Sequence, residues 1–148
     1  MTTQTKGRIR HVALSVEDPW ETAEFYKQAV GLQEVTELDG PLAEGEAGSV
    51  HGGDRLPWAP AEGIDNYDSL ADITWQVHVY GTAKASLIDW CNARNIPLRV
   101  FKWAPEREVA GLARDAAYLL RPDTYVAVAD PSGEAETLDL YFSRRGLA

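Results

Sequence analysis

The chain has 148 residues, 45% hydrophobic and 25% charged, with a formal net charge of −9. That suffices for one core of ordinary composition. The acid excess and the absence of a basic run argue against nucleic acid and anionic membranes as partners, and no apolar stretch reaches the ~18 residues of a spanning helix. A single cysteine permits no internal disulfide, and the opening MTTQTKGR lacks the apolar core of a secretory leader, so a cytoplasmic location is the expectation.

Residues 9–16 alternate as a strand, with Ile9, His11, Ala13 and Ser15 on one face. Asp18-Pro19 opens a helix. Asp accepts from free amides, Pro suits the first turn, and Glu21 completes a capping-box-like pair. Phe25, Tyr26, Ala29 and Val30 give this helix an apolar stripe, and Gly31 stops it. Residues 33–38 form a second strand. The stretch 39–72 is rich in Gly, Pro, Ala and acidic residues and reads as a long connector. Within it, the two prolines flanking Trp58 predict an extended segment with a packed indole.

Residues 73–80 form the next strand, with Ile73, Trp75, Val77 and Val79 on one face. A helix follows from Gly81-Thr82 through Arg94, with Leu87, Trp90 and Cys91 near one face and Asn95 as its stop. A strand over 97–103, a helix over 105–114 and a hairpin of 116–120 with 125–129 come next. The last segment fits two periods. Leu138, Leu140 and Phe142 alternate, whereas Ala135, Leu138, Tyr141 and Phe142 have helical spacing. Asp130-Pro131 as a start, Gly146 as a stop, and Arg144 and Arg145 at the C-terminal end favour helix.

Two stretches resemble different families. IRHVALSVEDPWETAEFYKQAVGLQEVTEL (residues 9–38) resembles the opening β-α-β of the vicinal-oxygen-chelate (glyoxalase/ring-cleaving dioxygenase) superfamily. GGDRLPWAP, ITWQVHVYG, AGLARDAAYLLRPDTYVAVAD and YFSRRGL, within residues 52–147, resemble the thioredoxin-like domain at the C-terminal end of flavin-dependent aromatic hydroxylases. Together they imply an α/β chain, chimera-like in make-up. A vicinal-oxygen-chelate-like β-α-β unit covers residues 1–45, a Gly/Pro-rich connector 46–72, and a thioredoxin-like β-α-β-α-β-β-α region 73–148. The alternative is a complete vicinal-oxygen-chelate fold of paired βαβββ modules.

By the first resemblance His11 matches a first metal ligand, and neutral imidazole suits zinc or ferrous iron. The family's second histidine falls near Thr74, a poor substitute. His78 shares the face of Thr74 but lies four residues on, about 13 Å along a strand. Were 138–142 a strand, Asp130-Pro131-Ser132-Gly133 and Asp139 would match the family's last turn and acidic ligand, with His78 or Glu136 completing the shell. The plainer reading makes His11, His51 and His78 structural or loop residues. Cys91 stands late in its helix without a Cys-x-x-Cys partner and reads as a small buried hydrophobe. No Gly-x-Gly-x-x-Gly follows a strand, so no flavin site is expected in this chain by itself.

The expectation is a non-catalytic module for assembly or small-molecule binding, with no catalytic residue and no cofactor. The alternative is a metalloenzyme (dioxygenase, lyase or isomerase) acting on a small aromatic or oxo compound, with zinc or iron on His11 and Asp139 and, last in rank, His78. A homodimer is expected through an open strand edge along 9–16 or 33–38, and a small aromatic molecule is the expected kind of ligand.

Overall fold

The computed structural model of the chain describes residues 19–30 and 43–147. Contacts divide the chain into two compact units, Met1–Thr36 and Glu37–Ala148. The expected strands at 9–16 and 33–38, and His11, lie outside the described residues.

In the first unit, helix α1 spans Pro19–Val30, the helix that Asp18-Pro19 and Gly31 bracket in the sequence. Lys27 pairs with Glu24 one turn earlier at 2.7 Å. Phe25 meets Tyr26 edge-on with ring centroids 5.4 Å apart. Phe25, a member of the apolar stripe, is 62% exposed.

The second unit runs β1 (Glu44–Ala47), β2 (Val50–His51), a 3-10 turn (Asp68–Ala71), β3 (Gln76–Tyr80), α2 (Ala85–Ala93), β4 (Leu98–Phe101), α3 (Pro105–Val109), β5 (Ala117–Leu120), β6 (Val126–Asp130) and α4 (Ala135–Arg145). The strands form one sheet in the order β2-β1-β6-β5-β3-β4. Strands β3 and β4 are parallel, as a helical crossover requires, and β5 runs antiparallel between β3 and β6. From β3 onward this is the β-α-β-α-β-β-α order expected for 73–148.

The connector reading of 46–72 changes most. Its start is β1 and β2, an antiparallel hairpin that joins the sheet through parallel pairing of β1 with β6. Gly45 makes that pairing close. Its φ is +80°, and a Cβ there would strike the Ala129 carbonyl. Further along, Leu56, Ala59 and Asn66 are buried. Trp58 is not the packed member of its run: it is 60% exposed, with its indole N–H donating to Asp65 at 3.1 Å. Strand β3 begins at Gln76 rather than Ile73, because the Thr74 amide closes a turn onto the Asp72 carbonyl. Ile73 is left 81% exposed.

The sheet is buried on both faces. On one, Val77, Val79, Leu119 and Val128 pack against Leu87, Trp90 and Cys91 of α2 and Leu138, Tyr141 and Phe142 of α4. On the other, Tyr80, Phe101, Tyr118 and Leu120 pack against Val50, Leu56 and Leu112. Burying each large side chain contributes roughly 1.5–3 kcal/mol. Helix α4 forms where the sequence admits either period, with a bonded turn leading into it and a left-handed glycine ending it. The Asp130 carboxylate accepts from the Glu134 amide at 3.0 Å and from the Ser132 hydroxyl at 2.7 Å. Gly146 then ends the helix with φ +60°. No helix among the described residues is long and apolar enough to cross a membrane.

Candidate functional site

Alternation along β3 sends Val77 and Val79 to the helical face and Gln76, His78 and Tyr80 to the other. All three polar side chains are buried, so each needs a partner. The Gln76 side-chain amide donates to the Ser69 carbonyl at 3.2 Å, which turns its oxygen toward His78. His78 Nε2 lies 3.1 Å from that oxygen and 3.0 Å from the Ser69 hydroxyl. An amide oxygen only accepts, so Nε2 carries the proton and Nδ1 accepts from the Tyr80 hydroxyl at 3.2 Å. The Tyr80 hydroxyl accepts in turn from the Asn66 amide at 3.0 Å, and Asn66 also holds Pro57 and Ala59. Burial, with the cations of Arg99 and Arg107 nearby, pulls the His78 pKa down to about 3 and keeps the ring neutral. Burial likewise raises that of Tyr80.

Beside this ladder lies Arg107, 1% exposed on α3. Its guanidinium carbon sits 5.0 Å from the Tyr80 ring centre and 5.1 Å from that of Phe101. Its Nε and Nη1 have no acceptor among the described residues. The Nε of Arg99 is also without one, although its Nη2 donates to Asp72 at 3.1 Å. These buried donors were not legible in the sequence.

The surface over this region is a groove of about 510 Å³. One wall is β4 and Lys102; the other is Ile64, Asp65, Asp68, Ser69 and Asp72. Ser69 therefore connects the groove to the buried His78.

Of the expected site residues, His11 lies outside the described residues, and His78 and Asp139 stand on opposite faces of the sheet. His78 has both ring nitrogens engaged. Asp139 lies on α4, over the opposite face of the sheet, where it accepts from the Trp90 indole at 2.9 Å and from Arg94 at 2.6 Å. Glu136 is exposed on the same helix. His51, expected in a loop, is the exposed last residue of β2, between Glu46 and Asp54. No three His, Cys, Asp or Glu side chains converge as metal ligands among the described residues. Cys91 is buried in α2, and burial pushes its thiol up to about 11.

The sequence profile of the Glyoxalase/Bleomycin resistance protein/Dioxygenase superfamily matches residues 8–135. The chain belongs to that superfamily. The matched span ends where α4 begins. If the five-residue α3 is set aside, β3 to β6 run β-α-β-β-β, the order of one module of the alternative fold. No curated relative of this superfamily member matches it. Among solved structures it is similar to chromopyrrolic acid-soaked RebC-10x with bound 7-carboxy-K252c, at 25% identity and a TM-score of 0.53, covering 74% of this chain and 22% of that one. It is similar to the substrate-free form of the rebeccamycin biosynthetic enzyme RebC at 23% identity and 0.53, covering 87% and 26%. A third is the OxyS anhydrotetracycline hydroxylase from Streptomyces rimosus, at 20% and 0.43, covering 84% and 25%. The chain thus spans about a fifth to a quarter of the length of these structures, and the likeness is one of fold. Both resemblances read from the sequence, glyoxalase-like and aromatic hydroxylase-like, are met in these findings.

Proposed function

We propose that residues 43–147 act as a non-catalytic, thioredoxin-like module for assembly or small-molecule binding, without dithiol redox chemistry. The observation that supports the reading is the commitment of three candidate groups among the described residues, His78, Asp139 and Cys91. His78 is neutral and hydrogen-bonded at both nitrogens, Asp139 holds Trp90 and Arg94 on the other face, and the Cys91 thiol is buried without a second cysteine. What stays open is the groove along β4, whose volume suits a small ligand or a segment of a partner. An insulin-reduction assay tests the redox part. No turnover is expected; turnover that vanishes in Cys91→Ser would overturn the reading.

A second reading is favoured by the superfamily match: a vicinal-oxygen-chelate metalloenzyme acting on a small aromatic or oxo compound, with His11 as its first ligand. Elemental analysis of protein purified without chelator separates the two. About one zinc or iron per chain, lost in His11→Ala, would put the metalloenzyme first.

A further inference from the structure

Resting on the small-molecule part of the reading above, we infer that the groove along β4 takes a small aromatic carboxamide, whose carbonyl oxygen accepts from the Ser69 hydroxyl. The direction of one hydrogen bond sets this chemistry. The Gln76 side-chain amide is spent on the Ser69 carbonyl at 3.2 Å, so the Gln76 oxygen faces His78 Nε2 at 3.1 Å. Neutral His78 therefore carries its single proton on Nε2, which also stands 3.0 Å from the Ser69 hydroxyl. That hydroxyl accepts from the ring, and the ring nitrogen it touches cannot take its proton. Ser69 is thus a donor and not a nucleophile. No described group accepts its hydrogen, and Ser69 lines the groove.

The charged side chains around the groove decide which head group fits. Glu62 holds Lys102 at 2.6 Å and Asp72 holds Arg99 at 3.1 Å, so neither charge is left for an anion. The Arg99 Nε that lacks an acceptor is buried, out of reach of a ligand. Asp65 accepts from the Trp58 indole and the Tyr67 amide. Asp68, beside Ser69 in the same 3-10 turn, has no side-chain partner among the described residues. A carboxylate would satisfy Ser69 and be repelled by Asp68. An ammonium would satisfy Asp68 and, having no acceptor, leave the Ser69 hydrogen unmet. A primary carboxamide answers both, its oxygen accepting from Ser69 and its N–H donating to Asp68. Leu98, Val100 and Ile64 supply apolar lining for an aromatic ring, and about 510 Å³ leaves room for one.

Benzamide, benzoate and benzylamine share one ring and differ in the head group. Titrated into the isotope-labelled full-length chain, benzamide should shift the backbone amide signals of Ser69 and Val100 and bind roughly fivefold or more tightly than the other two. Ser69→Ala leaves His78 Nε2 its Gln76 acceptor, so far-ultraviolet dichroism should not change. Benzamide should then bind roughly fivefold more weakly and benzylamine as before, and Ser69→Thr, which keeps a hydroxyl, should restore benzamide. A long-range proton–nitrogen correlation reads the His78 tautomer directly. The Nδ1–H form would overturn the inference, because Ser69 would then donate to the ring. Equal affinity for the three probes, or benzamide binding untouched by Ser69→Ala, would overturn the carboxamide and leave small-molecule binding in place. No binding of any probe would overturn it and leave only the assembly part of the reading. Turnover in the insulin assay would sink the non-catalytic reading while the head-group preference stood.

Discussion

Arg107 gives the sharpest quantitative test, because its expected sign is unusual. It is a core residue by burial, 1% exposed, and a permanent cation by chemistry. Two of its donor atoms, Nε and Nη1, have no acceptor among the described residues. A buried donor left unpaired costs about 1–3 kcal/mol, so the pair costs about 2–6. Against this stand the contacts of the guanidinium with Tyr80 and Phe101, each contributing roughly 0.5–2 kcal/mol. Arg107→Met keeps an unbranched stem on the same rings and removes both the charge and the orphan donors. The balance favours the variant, as it does when a buried ionic group gives way to a well-packed apolar one. The expected outcome is a gain of about 1–2 kcal/mol in urea unfolding and a rise in Tm of about 3–6 °C at this chain length. Arg107→Lys keeps the charge, loses the planar stacking and should be less stable than wild type. A loss of more than ~1 kcal/mol in Arg107→Met would refute the reasoning and show that the guanidinium has an acceptor.

Leu138 is fully buried between α4 and the sheet, and Leu138→Ala should cost about 2–5 kcal/mol in the same unfolding assay. His78 gives a pH dependence. Its folded pKa of about 3 lies below the ordinary histidine value of 6.5, so the unfolded chain takes up the proton first as pH falls. Its share of stability is whole above pH 6.5 and declines toward pH 3, at up to about 1.4 kcal/mol per pH unit. The stability difference between wild type and His78→Gln should carry that slope between those limits and be flat above them. With the Cys91 thiol held at about 11, a disulfide reagent at pH 8 should label native protein only as fast as it unfolds, and denatured protein at once.

The helices and the β5–β6 hairpin were legible because period and punctuation agree there. In α4 the two periods tie, and Asp130 and Gly146 decide for the helix. Strand β1 was not legible. Its sequence EGEA shows no alternation, only Ala47 is buried, and its place is set by β6, more than 80 residues later in the chain. The polar face of β3 misleads in a different way. QVHVY alternates as a half-exposed strand does, yet Gln76, His78 and Tyr80 are buried because the supposed connector supplies their partners, Ser69 to Gln76 and His78 and Asn66 to Tyr80. Arg107 carried no signal at all: within PEREV nothing marks a charged side chain as a core residue, and charged residues are ordinarily exposed.

Glu44, the first residue of β1, bonds Arg145, the last residue of α4, at 2.7 Å. The segment between them therefore begins and ends at one place on its surface. A chain with that property can be rerouted. A short linker from 147 back to 44, with new ends cut at the exposed turn of Pro122 and Asp123, would keep every strand pairing of the sheet. By the same geometry, a fluorophore on each of 43 and 147 would report one short distance while the sheet is intact, and the distance of a long unfolded coil once it is lost.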